Sequence, residues 1–548
     1  DGTLAKHVCF KHVPSTTELI YLVPSFIFGA ILGPFCINLI DASRWSNSSD
    51  GEAVGGIAYA LTRMVIGIQM VKVGYELPKR YLRRRAMAGN ISMYQADDTS
   101  SILSCIIGSC VICIDPVLSQ AIAKGPFADK YVRRHLREFI SAEAGGNDGF
   151  GFPFLMLSIA LLRYDDTPKS ATGHVKRDWI GATDAGRFGG DVGRALAHWA
   201  VEGVLYMIIM GAGYGLLVGF VGRKGLNLAS NKRWIDKESF FLFPVAIGVG
   251  VLFFLTFGDT LLTTCFQLFV VGTCGCFGTD ETLACFIAGC ALNWDGRYHS
   301  EAEARHDSFN SSIETVLNFG TFVFLGVVMP WDQLHMPHIT GITIARLIAL
   351  GVLIVLFRRI PAIMLGYRFI PKICGDWKEA LFMGYFGPIG VGAVSYVEYA
   401  RRLLPDPGES DAEINHLTAA MIPVVYWLVF FSIIVHGLSI PVLNSIYEWL
   451  RVPAIRDNPV EILLLSENEP VPNNSVVDRQ THSVTVNNRF SCVSHHTNGS
   501  TVSCSVPEEP SAMMLRSSGQ NHYSASLART STKGSTCQAE QTAAREVV

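Results

Sequence analysis

The chain has 548 residues, of which 49% are hydrophobic and 17% are charged, and its formal net charge at pH 7 is −3. The charged fraction lies below the roughly 25% that is usual for soluble domains, which argues against a soluble protein. The slightly negative charge argues against a nucleic-acid partner. The 14 cysteines lie mostly inside apolar runs, where thiols act as small packing residues, so neither a disulfide framework nor a metal site is favoured.

Apolar stretches of about 20 residues recur through the first 450 positions and predict about eleven to twelve membrane-spanning helices. Such segments must be helical, because lipid cannot satisfy the polar groups of an open backbone. The predicted helices cover residues 18–40, 56–75, 101–123, 139–163, 196–221, 239–257, 259–277, 281–294, 310–330, 339–358, 379–400 and 416–447. The predicted fold class is therefore an all-α polytopic membrane protein.

The composition changes at about residue 453, where the chain becomes rich in Ser, Thr, Asn and Gln, as in NNSVVDRQTHSVTVNN. A segment of this kind cannot bury enough apolar area to fold alone. The predicted organisation is a transmembrane domain over residues 1–452, followed by a disordered cytoplasmic tail over residues 453–548. Regulatory proteins could bind to this tail.

The basic residues raise a problem of topology. Two basic clusters, at residues 77–85 and 124–138, are separated by one predicted helix, residues 101–123. Basic residues collect on the cytoplasmic side, so a single crossing would place one cluster on the opposite side. Either residues 101–123 are re-entrant, or a helix is missing from the polar stretch AMAGNISMYQADDTSS at residues 86–101.

Two aspartates stand inside apolar runs. Asp115 lies in CVICIDPVLSQ and is followed by Pro116, and Asp148 lies in SAEAGGNDGFGFPF. An ionisable group in the membrane costs about 2.5–3.5 kcal/mol on insertion scales, so it usually lines a water-filled path. Proline breaks the helical hydrogen-bond ladder, and a broken helix that carries a carboxylate is typical of secondary transporters.

Carboxylate oxygens are suitable ligands for hard cations such as Na⁺, and a buried carboxylate also binds a proton readily. A single aspartate can then hold either ion in competition, which is sufficient for an exchange mechanism. The alternative is that these acids only cap helix ends. Glu143 lies five residues before Asp148, so it points elsewhere on a helix, and an ion pair with an arginine is its expected role. Neither a hydrolytic nucleophile–base set nor the repeated filter of a channel accompanies the acids.

Several motifs resemble one family. SAEAGGNDGFGFPF is similar to the SAESGCNDG-AFPF segment of fungal plasma-membrane Na⁺(K⁺, Li⁺)/H⁺ antiporters, within the monovalent cation/proton antiporter superfamily, and IDPVLSQ is similar to that family's TDPVLAQ. Further similar stretches follow in the same order, namely LTRMVIGIQMVKVGYELPKRYL (61–82), FGTDETLACFIAGCALNWDG (277–296), LFRRIPAIML (356–365) and GYFGPIGVGAVSYVEYARR (384–402). The resemblance covers roughly residues 18–450.

The resemblance implies a fold in which a dimerisation bundle packs against a core bundle, with two broken helices that cross in mid-membrane. It implies that Asp148 binds the cation or proton, with Asn147 beside it, and that Asp115 lies at the unwound part of a crossing helix. Glu143 would pair with Arg359 or Arg358, between which the sequence does not choose. Asp280 matches a further family acid and is either an accessory site residue or a helix N-cap.

The function implied by the resemblance is exchange of cytoplasmic Na⁺, with K⁺ and Li⁺, for external H⁺ in the plasma membrane. The protein would be a multi-pass homodimer in contact with lipid, without a cofactor and without enzymatic activity. Among the departures of the chain from the family pattern, the first helix is short or missing before Thr17, and a helix is missing around residues 86–100. The alternative is therefore a degenerate or truncated homologue that does not transport and acts as a structural or sensing protein.

Overall fold

The computed structural model describes residues 16–45, 52–78, 81, 102–164, 191–232, 270, 272–274, 277–296, 298–299, 308–371, 373–406, 410, 412–456, 459–464, 471, 474–478 and 480–488. All of them belong to one compact unit, residues 1–505. The expected gap at residues 86–100, the predicted helix 239–257 and most of the predicted helix 259–277 lie outside the described residues.

The described part of the membrane domain is helical. In chain order the α-helices are α1 (Thr16–Leu32), α2 (Glu52–Glu76), α3 (Ile102–Cys110), α4 (Pro116–Lys124), α5 (Pro126–Tyr131), α6 (Arg134–Phe150), α7 (Phe152–Tyr164), α8 (Val192–His198), α9 (Gly211–Asn231), α10 (Glu281–Leu292), α11 (Ser308–Val328), α12 (Ile344–Phe357), α13 (Ile360–Gly366), α14 (Trp377–Tyr385), α15 (Val391–Leu403) and α16 (Ala412–Trp449). A π-helix, Trp199–Met210, joins α8 to α9, and short 3-10 helices occur at Ala42–Trp45, Trp331–Leu334 and Tyr367–Phe369.

Several helices are long and apolar enough to cross a membrane. Among the described residues they are Val54–Glu76, Val192–Gly225, Ile344–Phe369 and Ile414–Trp449, with shorter apolar helices at Leu22–Leu32, Glu281–Leu292 and Thr315–Val328. The prediction of an all-α polytopic membrane protein is confirmed. The first predicted helix, 18–40, is shorter than expected and ends at Leu32, because Gly33 and Pro34 follow and favour termination.

Small residues bring the backbones of neighbouring helices into contact. A β-carbon at Gly289 of α10 would lie 2.2 Å from the carbonyl oxygen of Val71 in α2. A β-carbon at Gly215 of α9 would lie 2.3 Å from the carbonyl oxygen of Ala284 in α10. Close approach of this kind is how helices associate where lipid removes the hydrophobic drive between them. Helix α10 is therefore held tightly between α2 and α9.

Two of the predicted helices are interrupted, and the interruptions meet. The stretch predicted over 101–123 consists of α3 and α4, and the stretch predicted over 379–400 consists of α14 and α15. Within each pair, the two helices are separated by a short non-helical segment, residues 111–115 and 386–390 respectively. The backbone N–H of Asp115 donates to the carbonyl oxygen of Pro388 at 2.8 Å. The crossed broken helices that the resemblance implied are present.

Part of the predicted disordered tail forms a sheet. Strands β1 (Pro459–Leu464), β2 (Ser475–Asp478) and β3 (Ser483–Asn487) are antiparallel, with β3 in the centre. The structure differs here from the expectation of disorder beginning at residue 453. Val484 and Val486, which alternate along β3, are buried. The sheet lies against residues 125–133, between α4 and α6. The segment therefore does not have to fold alone. Residues 489–548 lie outside the described residues.

Candidate ion-binding site

The crossing of the two interrupted helices is held by one arginine. Arg358 follows the last residue of α12, and its Nη1 donates to the carbonyl oxygen of Val111 at 2.8 Å. Its Nη2 donates to the carbonyl oxygen of Gly387 at 2.5 Å. Carbonyls at the end of a helix have no partner within the helix, and a guanidinium can satisfy two of them with fixed geometry. Arg358 therefore ties residues 111–115 to residues 386–390.

Asp115 has one oxygen that caps a helix and one that is free for another ligand. Its Oδ1 accepts from the N–H of Val117 at 3.0 Å, which caps α4. Its Oδ2 is buried and has no hydrogen-bond partner among the described residues. A β-carbon at Gly390 would lie 1.9 Å from this Oδ2, so the start of α15 rests directly on the carboxylate. Asp115 can therefore cap α4 with one oxygen and bind a ligand with the other, so the two roles that the sequence left open are compatible.

Asp148 faces the same crossing from α6. Its side chain is 1% exposed, and neither carboxylate oxygen has a hydrogen-bond partner among the described residues. A β-carbon at Gly392 would lie 3.1 Å from Oδ1 of Asp148 and 3.1 Å from Sγ of Cys113. Asp148 is thus close to both crossing segments. A buried carboxylate without a partner is costly, and a bound proton or cation removes that cost.

Asn147 is the neighbour of Asp148 in α6. Its side chain is buried, and its Oδ1 has no hydrogen-bond partner among the described residues. An amide oxygen is a neutral ligand for a hard cation. The described residues contain no group of three or more His, Cys, Asp or Glu side chains that could hold a resident metal ion. Carboxylate and amide oxygens, such as those of Asp148, Asp115 and Asn147, are ligands that hard cations accept.

Glu143 lies on α6 away from the two aspartates. Its Oε2 accepts from Nη2 of Arg359 at 2.7 Å, and both side chains are buried. The neighbouring Arg358 instead contacts main-chain carbonyls at the crossing. Of the two arginines that the sequence left open, the structure pairs Arg359 with Glu143. Arg359 lies between α12 and α13, so this ion pair links α6 to the break between those two helices.

Asp280 caps α10 close to the main chain of Asp148. Its Oδ1 accepts from the N–H groups of Thr282 at 3.0 Å and Leu283 at 3.1 Å. The hydroxyl of Thr282 lies 2.6 Å from that Oδ1 and 3.1 Å from the carbonyl oxygen of Asp148. Asp280 therefore has the geometry of a helix N-cap, which is one of the two roles that the sequence left open. Its Oδ2 is buried without a hydrogen-bond partner among the described residues, so this oxygen has the capacity to act as an accessory acceptor.

Sequence reasoning missed the polar groups of α16 that support the crossing. Oγ of Ser432 accepts from the backbone N–H of Ile389 at 2.8 Å. Nε2 of His436 lies 3.0 Å from the carbonyl oxygen of Tyr385, and its Nδ1 lies 3.1 Å from Oγ of Ser432. The available signal was a pair of polar residues four positions apart inside an apolar helix, which places both on one face.

A second missed residue contacts the main chain of Asp148. The hydroxyl of Tyr396 in α15 donates to the carbonyl oxygen of Asp148. Elsewhere, Arg63 of α2 forms an ion pair with Glu281 at the start of α10. In each contact the two residues lie far apart in sequence, so residue spacing could not have indicated either contact. They link α15 and α2 to the elements that carry Asp148 and Asp280.

The family model described as sodium/hydrogen exchanger, transmembrane, matches residues 8–445. The chain belongs to the sodium/hydrogen exchanger family. It is 30% identical over 444 residues to the Na⁺/H⁺ antiporter 2 of Zygosaccharomyces rouxii, covering 76% of this chain and 48% of that protein. It is 33% identical over 439 residues to a probable Na⁺/H⁺ antiporter of Schizosaccharomyces pombe, covering 75% of this chain and 51% of that protein.

The resemblance to fungal Na⁺/H⁺ antiporters is thus confirmed, and this family member spans about half the length of the curated relatives it matches. Among solved structures, the sodium proton antiporter MjNhaP1 of Methanocaldococcus jannaschii aligns with a TM-score of 0.47 and 16% identity, over 77% of this chain and 91% of that chain.

Proposed function

We propose that this family member is a secondary antiporter that exchanges cytoplasmic Na⁺, with K⁺ and Li⁺ as further substrates, for external H⁺. The observation that carries this proposal is the buried Asp148, whose oxygens have no hydrogen-bond partner among the described residues and lie beside the crossing of two interrupted helices. The charge of a buried carboxylate is neutralised by a bound proton or by a bound cation, and both ions bind to the same two oxygen atoms.

In the proposed cycle, Asp148 binds a dehydrated cation with Oδ2 of Asp115 and the amide oxygen of Asn147 as further ligands. Oxygen ligands replace part of the hydration shell of the cation. A change of access then exposes the site to the other side, where a proton displaces the cation, and the protonated carrier returns. Since both ions need the same carboxylate, binding of one excludes the other, and the exchange is coupled.

The ion pair of Glu143 and Arg359 has a structural role in this proposal. Each charge is compensated by the other at 2.7 Å, so neither competes for the transported cation. Asp280 is an accessory residue, since the hydroxyl of Thr282 stands between its carboxylate and the main chain of Asp148. Asp280 would then affect the position of Asp148 and the local negative charge.

The names of the relatives as Na⁺/H⁺ antiporters support this function over a non-transporting homologue. The buried carboxylates support it too, since ionisable residues inside a membrane domain usually mark the path of an ion or a proton. Location in the plasma membrane, contact with its lipids, assembly as a homodimer and binding of regulatory proteins to the tail are parts of the same proposal.

The test is exchange by the full chain in lipid vesicles that contain a pH-sensitive dye. An imposed Na⁺ or K⁺ gradient should produce a change of internal pH, and the apparent KM for Na⁺ should rise as the pH is lowered, because protons compete for Asp148. Asp148→Asn should abolish the pH change. Asp332→Asn is the matched control, because Asp332 is exposed in the 3-10 helix Trp331–Leu334. No ion-dependent pH change by the wild type, or full activity of Asp148→Asn, would contradict the proposal.

A further inference from the structure

Residues 125–133 form the loop between α4 and α6, which contains the short helix α5, and they join the helix capped by Asp115 to the helix that carries Asp148. The segment after the last membrane helix binds to the main chain of this loop. The N–H of Ile455 donates to the carbonyl oxygen of Lys130 at 2.8 Å. Nδ2 of Asn488, directly after β3, donates to the carbonyl oxygens of Val132 at 2.8 Å and of Asp129 at 3.1 Å.

A second asparagine repeats this arrangement from the start of β2. Nδ2 of Asn474 donates to the carbonyl oxygen of Asp129 at 2.8 Å and lies 2.7 Å from the carbonyl oxygen of Ile455. Asn474 and Asn488 have φ values of 54° and 50°. Asparagine is among the few residues with a β-carbon that accept this left-handed conformation. The two side chains and their backbone geometry together direct the sheet onto the loop.

One arginine joins the loop, both helices and the sheet. Arg137 lies in the first turn of α6 and is fully buried. Its Nη1 donates to Oδ1 of Asp129 at 2.7 Å and to the carbonyl oxygen of Ala123 in α4 at 3.3 Å. Its Nη2 donates to the carbonyl oxygen of Asn488. A buried guanidinium must satisfy its donors in this way, so the four elements are held as one body.

We propose that the described residues between 455 and 488 form a latch that fixes α4 relative to α6, with Arg137 as its positioning residue. The latch does not touch the ion, because Asp148 is roughly 16 Å further along α6 at 1.5 Å per residue. It acts by maintaining the separation between the carboxylates of Asp115 and Asp148. This inference rests on the proposed function, and it makes the tail up to Asn488 a part of the transport unit.

The test uses the full chain with Asn474→Gly and Asn488→Gly combined. Glycine adopts the left-handed conformation without steric strain, so the variant removes the side-chain amides while the backbone geometry is still allowed. We expect the apparent KM for Na⁺ to rise at least about fivefold, since the loss of a single net hydrogen bond already corresponds to that factor, with the maximal rate changed by less than about twofold. Asp478→Asn is the matched control, since the described hydrogen bonds of the Asp478 carboxylate are to Gln480 and Thr481 in the exposed turn of the same sheet.

Hydrogen exchange gives a reading that is independent of transport. Amides of residues 125–137 should exchange faster in the double glycine variant than in the wild type, and Asp478→Asn should leave them unchanged. Arg137→Lys, which keeps the charge but loses the fork of donors, should also raise KM. An unchanged KM in the double variant, or unchanged protection of residues 125–137, overturns the latch. A wild type without exchange contradicts the proposed function alone, and the amide protection still decides the latch.

Discussion

The backbone N–H of Asp115 donates to the carbonyl oxygen of Pro388 at 2.8 Å, so the two interrupted helices are joined through their main chains. Neither group is paired within its own helix, because each lies in a non-helical segment between two helices. Arg358 satisfies one further carbonyl on each segment. The crossing is therefore a defined structure, in which polar backbone groups are paired beside the carboxylate of Asp115.

Gly390→Ala should destabilise the crossing. The added β-carbon would lie 1.9 Å from Oδ2 of Asp115, so either the carboxylate or α15 must move. We expect the free energy of unfolding to fall by about 3 kcal/mol and exchange to be lost, measured by thermal unfolding in detergent and by vesicle transport. Gly213→Ala is the control, since its β-carbon has nothing within 4 Å. Equal behaviour of the two variants would show that Gly390 is not in close contact with Asp115.

Arg358→Lys should weaken the contact between residues 111–115 and residues 386–390. Lysine retains the charge but cannot donate to Val111 and Gly387 with the same fork of nitrogens. The free energy of unfolding should fall by about 2 kcal/mol, the value of a charge-assisted hydrogen bond, and the maximal rate of exchange should fall with it. Arg346→Lys provides the comparison, because Arg346 donates to the carbonyl oxygen of Gly341 at the exposed start of the same helix. A similar loss in both variants would count against the role given to Arg358.

Glu143→Gln should be strongly destabilising, because it leaves the buried charge of Arg359 without compensation. We expect a loss of about 3 kcal/mol in the free energy of unfolding. The double variant Glu143→Gln, Arg359→Gln should lose less than the sum of the single variants, which measures their coupling. Glu138→Gln removes the partly exposed pair with Arg134 on the same helix and should cost no more than about 0.5 kcal/mol. Strict additivity of the two buried substitutions would rule out a direct ion pair.

Ser432→Ala should affect the crossing from α16. The substitution leaves the buried N–H of Ile389 without its acceptor, which costs about 1–3 kcal/mol. The effect should appear as a lower Tm and as faster hydrogen exchange at residues 386–390. Ser445→Ala is the control on the same helix, since Ser445 bonds only to the carbonyl oxygen of Pro441 at an exposed position. The assignment fails if exchange at residues 386–390 is the same in both variants.

The main architecture could be predicted from local sequence. Apolar runs near 20 residues indicate spanning helices, because the membrane imposes the same length and the same internal hydrogen bonding on every span. The Asp-Pro pair at residues 115–116 and the Asn-Asp pair at residues 147–148 are also local signals, because a buried acid or a proline conflicts with its apolar surroundings wherever it occurs. These features need no knowledge of which helices are neighbours.

Contacts between distant parts of the chain were decided only by the tertiary structure. The sequence left Arg358 and Arg359 equivalent as partners of Glu143, and packing assigned Arg359 to the acid and Arg358 to the crossing. The sequence from residue 453 has too few apolar side chains to fold alone, yet β1–β3 form against the loop between α4 and α6. The composition of a segment indicates only how much apolar area the segment can bury by itself. The surface of the assembled helices supplies hydrogen-bond partners for its backbone and for side chains such as that of Asn488. That surface exists only once the helices are assembled.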